Sequence, residues 1–335
     1  LKKINVAILG CGRMGQRHAE AYARHSSVKI GGFFDVQSFL AKKLANSYNT
    51  IAYRNLDQIM NDSSINAVSI CTPNALHFEM LKSAIESEKN ILVEKPIVTT
   101  AKQCDSLLRL IRKFASRVMV GHTHRFYPCN LALKSLLDSG RIGKPRIINT
   151  FDYIPGRNPG QKMPKWVKQG KISGGGVLMT DFIHTVDKIP WLMSSPIRKV
   201  HAHLMSNFIS GFGVEDAVVA SIELANGAVA TCVHGCPSPG AFDMSVKVIG
   251  TKGEVDMKFA AELIIIKNRQ ISINYPYRKK PLEHTKNAFF SEIDEFVQSI
   301  IEKRRPVITH FDGIRAVNTI LALYKSFKEK RAVVV

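Results

Sequence analysis

Cysteine is scarce: six residues in 335, with no Cys-x-x-Cys pair anywhere. That is too few for a disulfide-stapled scaffold. Acidic side chains are also in short supply, 27 against 47 Lys and Arg, for a formal net charge of +20. No apolar run is long enough to cross a bilayer, which argues against a membrane span. Internal repeats and low-complexity tracts are missing too. What is present is ordinary for packed chains: 45% hydrophobic residues, with 22 Gly and 14 Pro. A chain this long has room for two domains, each with its own core.

The positive charge is spread out. Residues 1–121 carry 17 basic and 9 acidic side chains, residues 122–277 carry 18 and 11, and residues 278–335 carry 12 and 7. With no basic arm or stripe, a dedicated nucleic-acid protein is not expected, although weak attraction to polyanions at low salt is. The opening apolar run Ile4–Gly10 is short and lacks a small-residue cleavage site, so the expectation is no signal peptide and a reducing, cytoplasmic setting.

Up to residue 121 short apolar runs alternate with helix-period segments. Strands are predicted at 28–34, 67–71, 91–93 and 118–120, after a first one opening at Ile4. Helices are predicted at 16–25, 37–47, 75–87 and 100–116. That alternation implies a parallel sheet covered on both faces. Beyond it the pattern predicts a helix at 128–139, a strand at 140–148, a Pro/Gly-rich loop at 155–170 and a helix from about Gly174 to Met193. Strands then follow at 199–206, 216–224, 228–235, 244–249, 254–258 and 263–267, and helices at 289–303 and 313–330. Successive strands without helices imply an antiparallel sheet. The expected fold is therefore an α/β Rossmann domain, residues 1–121, and an α+β domain on a large open, mostly antiparallel sheet, residues 122–335. The closing helices could pack back on the first domain.

Gly10-Cys11-Gly12-Arg13-Met14-Gly15 is a G-x-G-x-x-G directly after the first strand and opening a helix. Twenty residues after Gly15, Asp35 closes the second strand. Together these make a dinucleotide fingerprint: glycines for the tight turn and close backbone approach, a helix N-terminus for the pyrophosphate, an acid for the ribose hydroxyls. The charge of Asp35 favours NAD over NADP, while Arg13 could bridge a 2′-phosphate. Cys71-Thr72-Pro73-Asn74, with His77 three residues on, falls at another strand end, where ligands bind in such sheets and where a simple helix cap would also fit. Glu94-Lys95-Pro96 follows the next strand and, alone, fits a surface turn equally well.

The run Gly174-Gly175-Gly176 opens a segment bearing Thr180, Asp181, His184 and Asp187. On a helix Thr180 and His184 are i,i+4 neighbours, and Asp181, His184 and Asp187 are i,i+3 neighbours, so His184 can find a carboxylate locally. Cys232, His234 and Cys236 alternate on one predicted strand face. Buried thiols explain them better than zinc, which needs a fourth ligand. No metal is expected. His122, His124 and Arg125 fit an interdomain hinge, with Arg125 also able to reach cofactor or substrate.

In their order these motifs resemble the Gfo/Idh/MocA oxidoreductases, the relatives of glucose–fructose oxidoreductase and inositol dehydrogenase. The likeness spans essentially the whole chain. It implies NAD(P)-dependent hydride transfer at a secondary hydroxyl of a sugar or cyclic polyol, a homodimer or homotetramer, and a Lys95–Pro96 bond that is often cis. It also implies Lys95 as the active-site lysine and His184 as the helical histidine, acting on one substrate oxygen. Thr180 stands where the inositol dehydrogenases have Asp, with Asp181 one step along. The implied cofactor set is Gly10, Gly12, Arg13, Met14, Gly15, Asp35, Cys71, Thr72, Pro73, Asn74, His77, Glu94, Lys95 and Arg125. The expected catalytic set is Lys95, His184 and Asp181, where either Asp181 substitutes imperfectly for the family Asp or His184 works without that carboxylate, and the expected substrate set is Lys95, Arg157, Lys165, Trp166, Thr180 and His184. Cations at 157, 162, 165, 168 and 171, with no acid among them, suit an anionic substrate, or else a solvated face. Two alternatives stay open: a non-catalytic dinucleotide-binding regulator of this fold, and an enzyme whose NAD cycles between two sugars without leaving.

Overall fold

The computed structural model describes residues 3–114, 117–153, 164–206, 213–235, 243–259, 263–267, 270–273 and 281–335. The chain divides into two compact units, residues 1–123 with 286–314, and residues 124–285 with 315–335.

In chain order the first part runs β1 (Ile4–Leu9), α1 (Arg13–Ala23), β2 (Val28–Phe34), α2 (Ser38–Ser47), β3 (Ile51–Ala52), α3 (Leu56–Asn61), β4 (Ala67–Ile70), α4 (His77–Glu86), β5 (Asn90–Glu94), α5 (Ala101–Phe114) and β6 (Val118–Gly121). The six strands form one parallel sheet in the order β3-β2-β1-β4-β5-β6. β4 and β6 are buried at every position, and β1 at all but one, because helices cover both faces. The order of winding reverses between β1 and β4, so their carboxyl ends open the crevice where doubly wound sheets bind ligands.

The chain continues α6 (Pro128–Asp138), β7 (Pro145–Tyr153), α7 (Gly170–Ser173), α8 (Ile183–Leu192), β8 (Ile197–Met205), β9 (Ala217–Leu224), β10 (Val229–Gly235), β11 (Asp243–Gly250), β12 (Glu254–Lys258), β13 (Leu263–Lys267), β14 (Gln270–Ile273), α9 (Pro281–Ile301), α10 (His310–Glu329) and β15 (Val333–Val334). Nine strands form the second sheet, in the order β14-β13-β12-β11-β7-β10-β9-β8-β15. Among the described strands of this sheet, β7 and β10 make the one parallel pairing. On that pair and its neighbour β9, side chains alternate between a buried face (Ile148, Thr150, Asp152, Val218, Ala220, Cys232) and a more open one (Ile147, Phe151, Val219, Val229). Thr185 of α8 donates to Asp152 on the buried face at 2.7 Å. Within the first unit, Gly313 of α10 sits so close to β6 that an added Cβ would lie 2.9 Å from Val120. Phe289 of α9 lies against His18 of α1, ring centroids 6.1 Å apart.

Three expectations need correction. The helix predicted at 289–303 begins eight residues earlier, at Pro281. The strand predicted at 140–148 begins five residues later, at Pro145. Gly140 and Gly143 both have positive φ, 70° and 73°, and the Gly143 N–H bonds to Gly140 O, so this stretch is a turn. The helix predicted from Gly174 is also delayed. Gly174 ends α7 with φ 82°, and Gly175 has φ 153°. Residues Leu178–Phe182 then wind as a π-helix before α8 takes over. Short elements with too few residues to show a period have no counterpart in the sequence pattern: β3, α3, β14 and β15.

Candidate active site

The first loop explains its own glycines. Gly10, with φ 94°, crosses the end of β4, and a Cβ there would meet the Cys71 carbonyl carbon at 2.7 Å. A Cβ on Gly15 would lie 1.9 Å from Gly10 O, so α1 packs on β1 only through a glycine. Gly12 differs: an added Cβ would meet nothing within 4 Å. The space beside it is open, and α1 starts there without a side-chain cap. Uncapped N–H groups at a helix N-terminus beside an open glycine face suit a pyrophosphate. The donor set therefore fits a dinucleotide. Asp35 is fixed in place beside this turn. Its Oδ2 accepts the Cys11 N–H at 2.7 Å and its Oδ1 the Gln37 N–H at 2.8 Å. Each oxygen keeps a lone pair for a ribose hydroxyl. Val36, next in sequence and 80% exposed, offers an apolar face beside it that no sequence motif marks.

The remaining strand-end residues divide into facing and supporting groups. His77 is buried, and its ring nitrogens meet Pro96 O at 2.6 Å and Thr72 O at 2.9 Å. It ties the two loops together from inside. Burial pulls its pKa down, against the opposing pull of those two carbonyls. Glu94 is buried as well: Oε1 meets His18 Nε2 at 3.0 Å and Oε2 accepts the Lys95 N–H at 3.2 Å. Burial opposes ionisation of Glu94, but the His18 hydrogen bond and the charges of His18, Lys95 and His77 outweigh it and lower its pKa. Asn74 and Cys71 are buried, while Thr72, Met14 and Lys95 are half-buried and Arg13 is exposed. The Lys95–Pro96 bond is cis.

In the second unit Glu215, which no sequence pattern singles out, organises the glycine run. Its Oε1 accepts the Gly176 and Leu178 N–H groups at 2.8 and 3.2 Å, and the Tyr324 hydroxyl at 2.5 Å. A Cβ on Gly175 or Gly176 would fall 2.0 Å from Tyr324 Oη or Glu215 O respectively, which accounts for both glycines. Thr180 is buried and donates to Gly176 O at 2.9 Å, with Asp181 Oδ2 at 3.2 Å. The π turn through Thr180 and Asp181 replaces the regular i,i+4 spacing expected for Thr180 and His184, a distortion frequent at functional sites. The His184 ring stacks on His124, centroids 3.9 Å apart and planes 8° apart.

Asp187 has a partner that helical spacing does not suggest. Both its oxygens accept from Arg125, Nε at 2.8 Å and Nη2 at 2.5 Å, in a nearly buried bidentate pair. Such pairs cost about 3–5 kcal/mol to break from one side. Arg125 also lies 5.9 Å from the Trp191 ring centroid. Lys165, Lys168 and Lys171 are exposed and Trp166 half-buried. Arg157, Lys162 and Cys236 lie outside the described residues. Among the described residues no three His, Cys, Asp or Glu side chains are grouped to hold a metal ion. No described helix is long and apolar enough to cross a membrane.

Two family models match this chain: "Oxidoreductase family, NAD-binding Rossmann fold" over residues 4–122, and "Oxidoreductase family, C-terminal alpha/beta domain" over residues 134–335. The chain belongs to the Gfo/Idh/MocA oxidoreductase family. One similar protein is an uncharacterized oxidoreductase, YrbE, of Bacillus subtilis (29% identical, covering 94% of this chain and 92% of that protein). Another is the inositol 2-dehydrogenase of Rhizobium meliloti (26% identical, 98% of each). A levoglucosan dehydrogenase solved with NADH and levoglucosan superposes with a TM-score of 0.90 at 21% identity, covering 100% of each chain. At that identity the superposition speaks for the fold. The protein is thus an oxidoreductase with an NAD-binding Rossmann domain.

Proposed function

We propose that this oxidoreductase transfers a hydride between the nicotinamide of NAD and a carbinol carbon of a sugar, sugar derivative or cyclic polyol. The observation that carries the cofactor half is the open, uncapped Gly12 turn beside the anchored Asp35 carboxylate. The substrate half rests on relatives named for inositols and levoglucosan. NAD supplies the hydride acceptor. Lys95 hydrogen-bonds the substrate oxygen and stabilises its developing negative charge, and His184 takes the hydroxyl proton. Thr180 and Asp181, already bonded to one another, line the substrate side. The first unit serves the cofactor and the second the substrate. The retained Lys95 and His184 favour an enzyme over a regulator that only binds dinucleotide.

One panel tests the proposal: inositols, levoglucosan, aldoses and their acidic or phosphorylated forms, each with NAD and NADP, followed by absorbance of the reduced nicotinamide. Turnover of a neutral polyol or sugar is expected, with NAD preferred about tenfold or more because Asp35 repels a 2′-phosphate. Absence of turnover on every member would sink the reading. A strong preference for the anionic forms would assign Lys165, Lys168 and Lys171 to substrate, and a neutral preference would leave them as a solvated face.

The open face of the nine-stranded sheet, with Ile147, Phe151, Val219 and Val229 each at least 36% exposed, supports assembly of like chains. Light scattering should give two or four times the 37.3 kDa chain mass. A monomer at micromolar concentration contradicts this.

A further inference from the structure

Under the strand ends of the first unit lies a buried ionisable cluster that the hydride chemistry leaves unused. His18, on α1 just behind the glycine turn, is 0% exposed. Its Nδ1 meets Ser69 Oγ at 2.7 Å and its Nε2 meets Glu94 Oε1 at 3.0 Å. A carboxylate only accepts, so Nε2 carries the hydrogen. The other Glu94 oxygen holds the Lys95 N–H. Glu292, from α9, is also 0% exposed. Its Oε2 accepts the Thr123 hydroxyl at 2.9 Å, and its Oε1 is buried without a hydrogen-bond partner among the described residues. Tyr22 of α1, Cys71 after β4, and Lys95 and His77 on the facing loops complete the surrounding ionisable groups.

The charges in this cluster depend on one another. Burial opposes protonation of His18, but the Cys71 sulfur and the Glu94 carboxylate outweigh it and hold the pKa well above the usual imidazole value. Glu292 moves the other way for a carboxyl: burial first, then the charge of Glu94, push it up to about 8. Ionisation of Glu292 would add a second buried negative charge near Glu94.

We propose that His18 is a positioning residue for Lys95: it fixes the Glu94 carboxylate, whose other oxygen anchors the Lys95 backbone N–H. The inference rests on the assignment of Lys95 to the redox chemistry above. Without the His18 donor, Glu94 is a buried carboxylate with half its partners gone, and it turns or takes up a proton. Lys95 then loses its backbone anchor, and small displacements of a positioned group are costly.

In His18→Leu, kcat on the best panel substrate should fall about 10- to 100-fold. The Kd for NAD should stay within about twofold, a split that a general loss of structure would not give. His18→Gln, which keeps an N–H donor, should recover most of the rate. In NAD-free protein, modification of the Lys95 amine by an acid anhydride, read by mass spectrometry, should change its pH dependence in His18→Leu. Glu292→Gln keeps the Thr123 bond and cannot ionise, so the thermal midpoint reads out this buried carboxyl. A folded carboxyl with a raised pKa binds more protons than the unfolded one, so stability falls as pH climbs from the usual carboxyl value to about 8, and the Gln variant should flatten that slope.

Wild-type kcat and Lys95 labelling in His18→Leu would overturn the proposal, as would a rate loss that Gln does not rescue. Should His18→Leu not fold, His18→Asn decides: wild-type kcat and wild-type Lys95 labelling in that variant overturn the proposal. Lys95→Met separates the levels. If that variant stays active, the Lys95 reading fails. If it is inactive while the His18 variants behave as wild type, only this inference fails.

Discussion

Lys95→Met should lower kcat by about 100- to 1,000-fold, the usual cost of removing one preorganised donor to a developing oxyanion. Methionine keeps an unbranched apolar stem but presents neither charge nor N–H. The nearby framework does not depend on that ammonium: the Lys95 N–H is held by Glu94, and the two loops are tied by His77 bonding to Thr72 and Pro96. Dinucleotide binding should therefore survive, within a few-fold by NADH fluorescence titration. Steady-state rates on the best panel substrate decide the matter. A kcat within tenfold of wild type would remove Lys95 from the chemistry.

The second large effect lies in the glycine turn, where two substitutions should part company. Gly15→Val places a Cβ 1.9 Å from Gly10 O and 3.0 Å from its carbonyl carbon, so α1 must back away from β1. Packing against backbone cannot be relieved by a rotamer change. A loss of about 3 kcal/mol is expected, with NAD affinity down by about 100-fold or more. Gly12→Ala should instead leave the thermal midpoint unchanged, because its Cβ meets nothing within 4 Å, yet weaken NAD by filling the space the pyrophosphate needs. Calorimetry and nucleotide titration on both variants test the pair. Equal thermal loss in the two, or tight NAD binding by Gly12→Ala, contradicts the assignment of the turn.

Much of the first unit is legible because each of its signals is local. A buried parallel strand must be apolar throughout, a turn that crosses another strand must be glycine, and an acid closing β2 lies near the turn it serves. Five strands of the parallel sheet accordingly lie where the pattern puts them, the two-residue β3 being the sixth, and Gly10 and Gly15 stand where no side chain fits. The second unit is legible as an antiparallel sheet but less so at its turns. The strand at 145–153 is expected too early because apolar periodicity does not register the positive φ of Gly140 and Gly143.

Helical spacing misleads most at His184. It assumes a regular helix from Gly174, whereas Glu215 holds the Gly176 and Leu178 N–H groups and the following turn is π-helical. Spacing offers Asp187 to His184 but says nothing of Arg125, 62 positions away, whose guanidinium pairs with that carboxylate. His18 reads in sequence as one residue of an amphipathic helix, and Glu292 as one acid among several on α9. Nothing in their neighbours along the chain marks either as buried.

Residue types at short, fixed intervals were enough to point to the family and to the pairing of a parallel sheet with a mostly antiparallel one. Packing settled which donors each acid meets: His18 for Glu94, Arg125 for Asp187, the backbone N–H groups of the glycine turn for Glu215. These pairings join distant positions, 76 residues apart for Glu94 and His18 and 39 for Glu215 and Gly176. They arise from burial, which makes an unpartnered charge too costly to keep, and burial is a property of the packed chain that no short stretch of sequence contains.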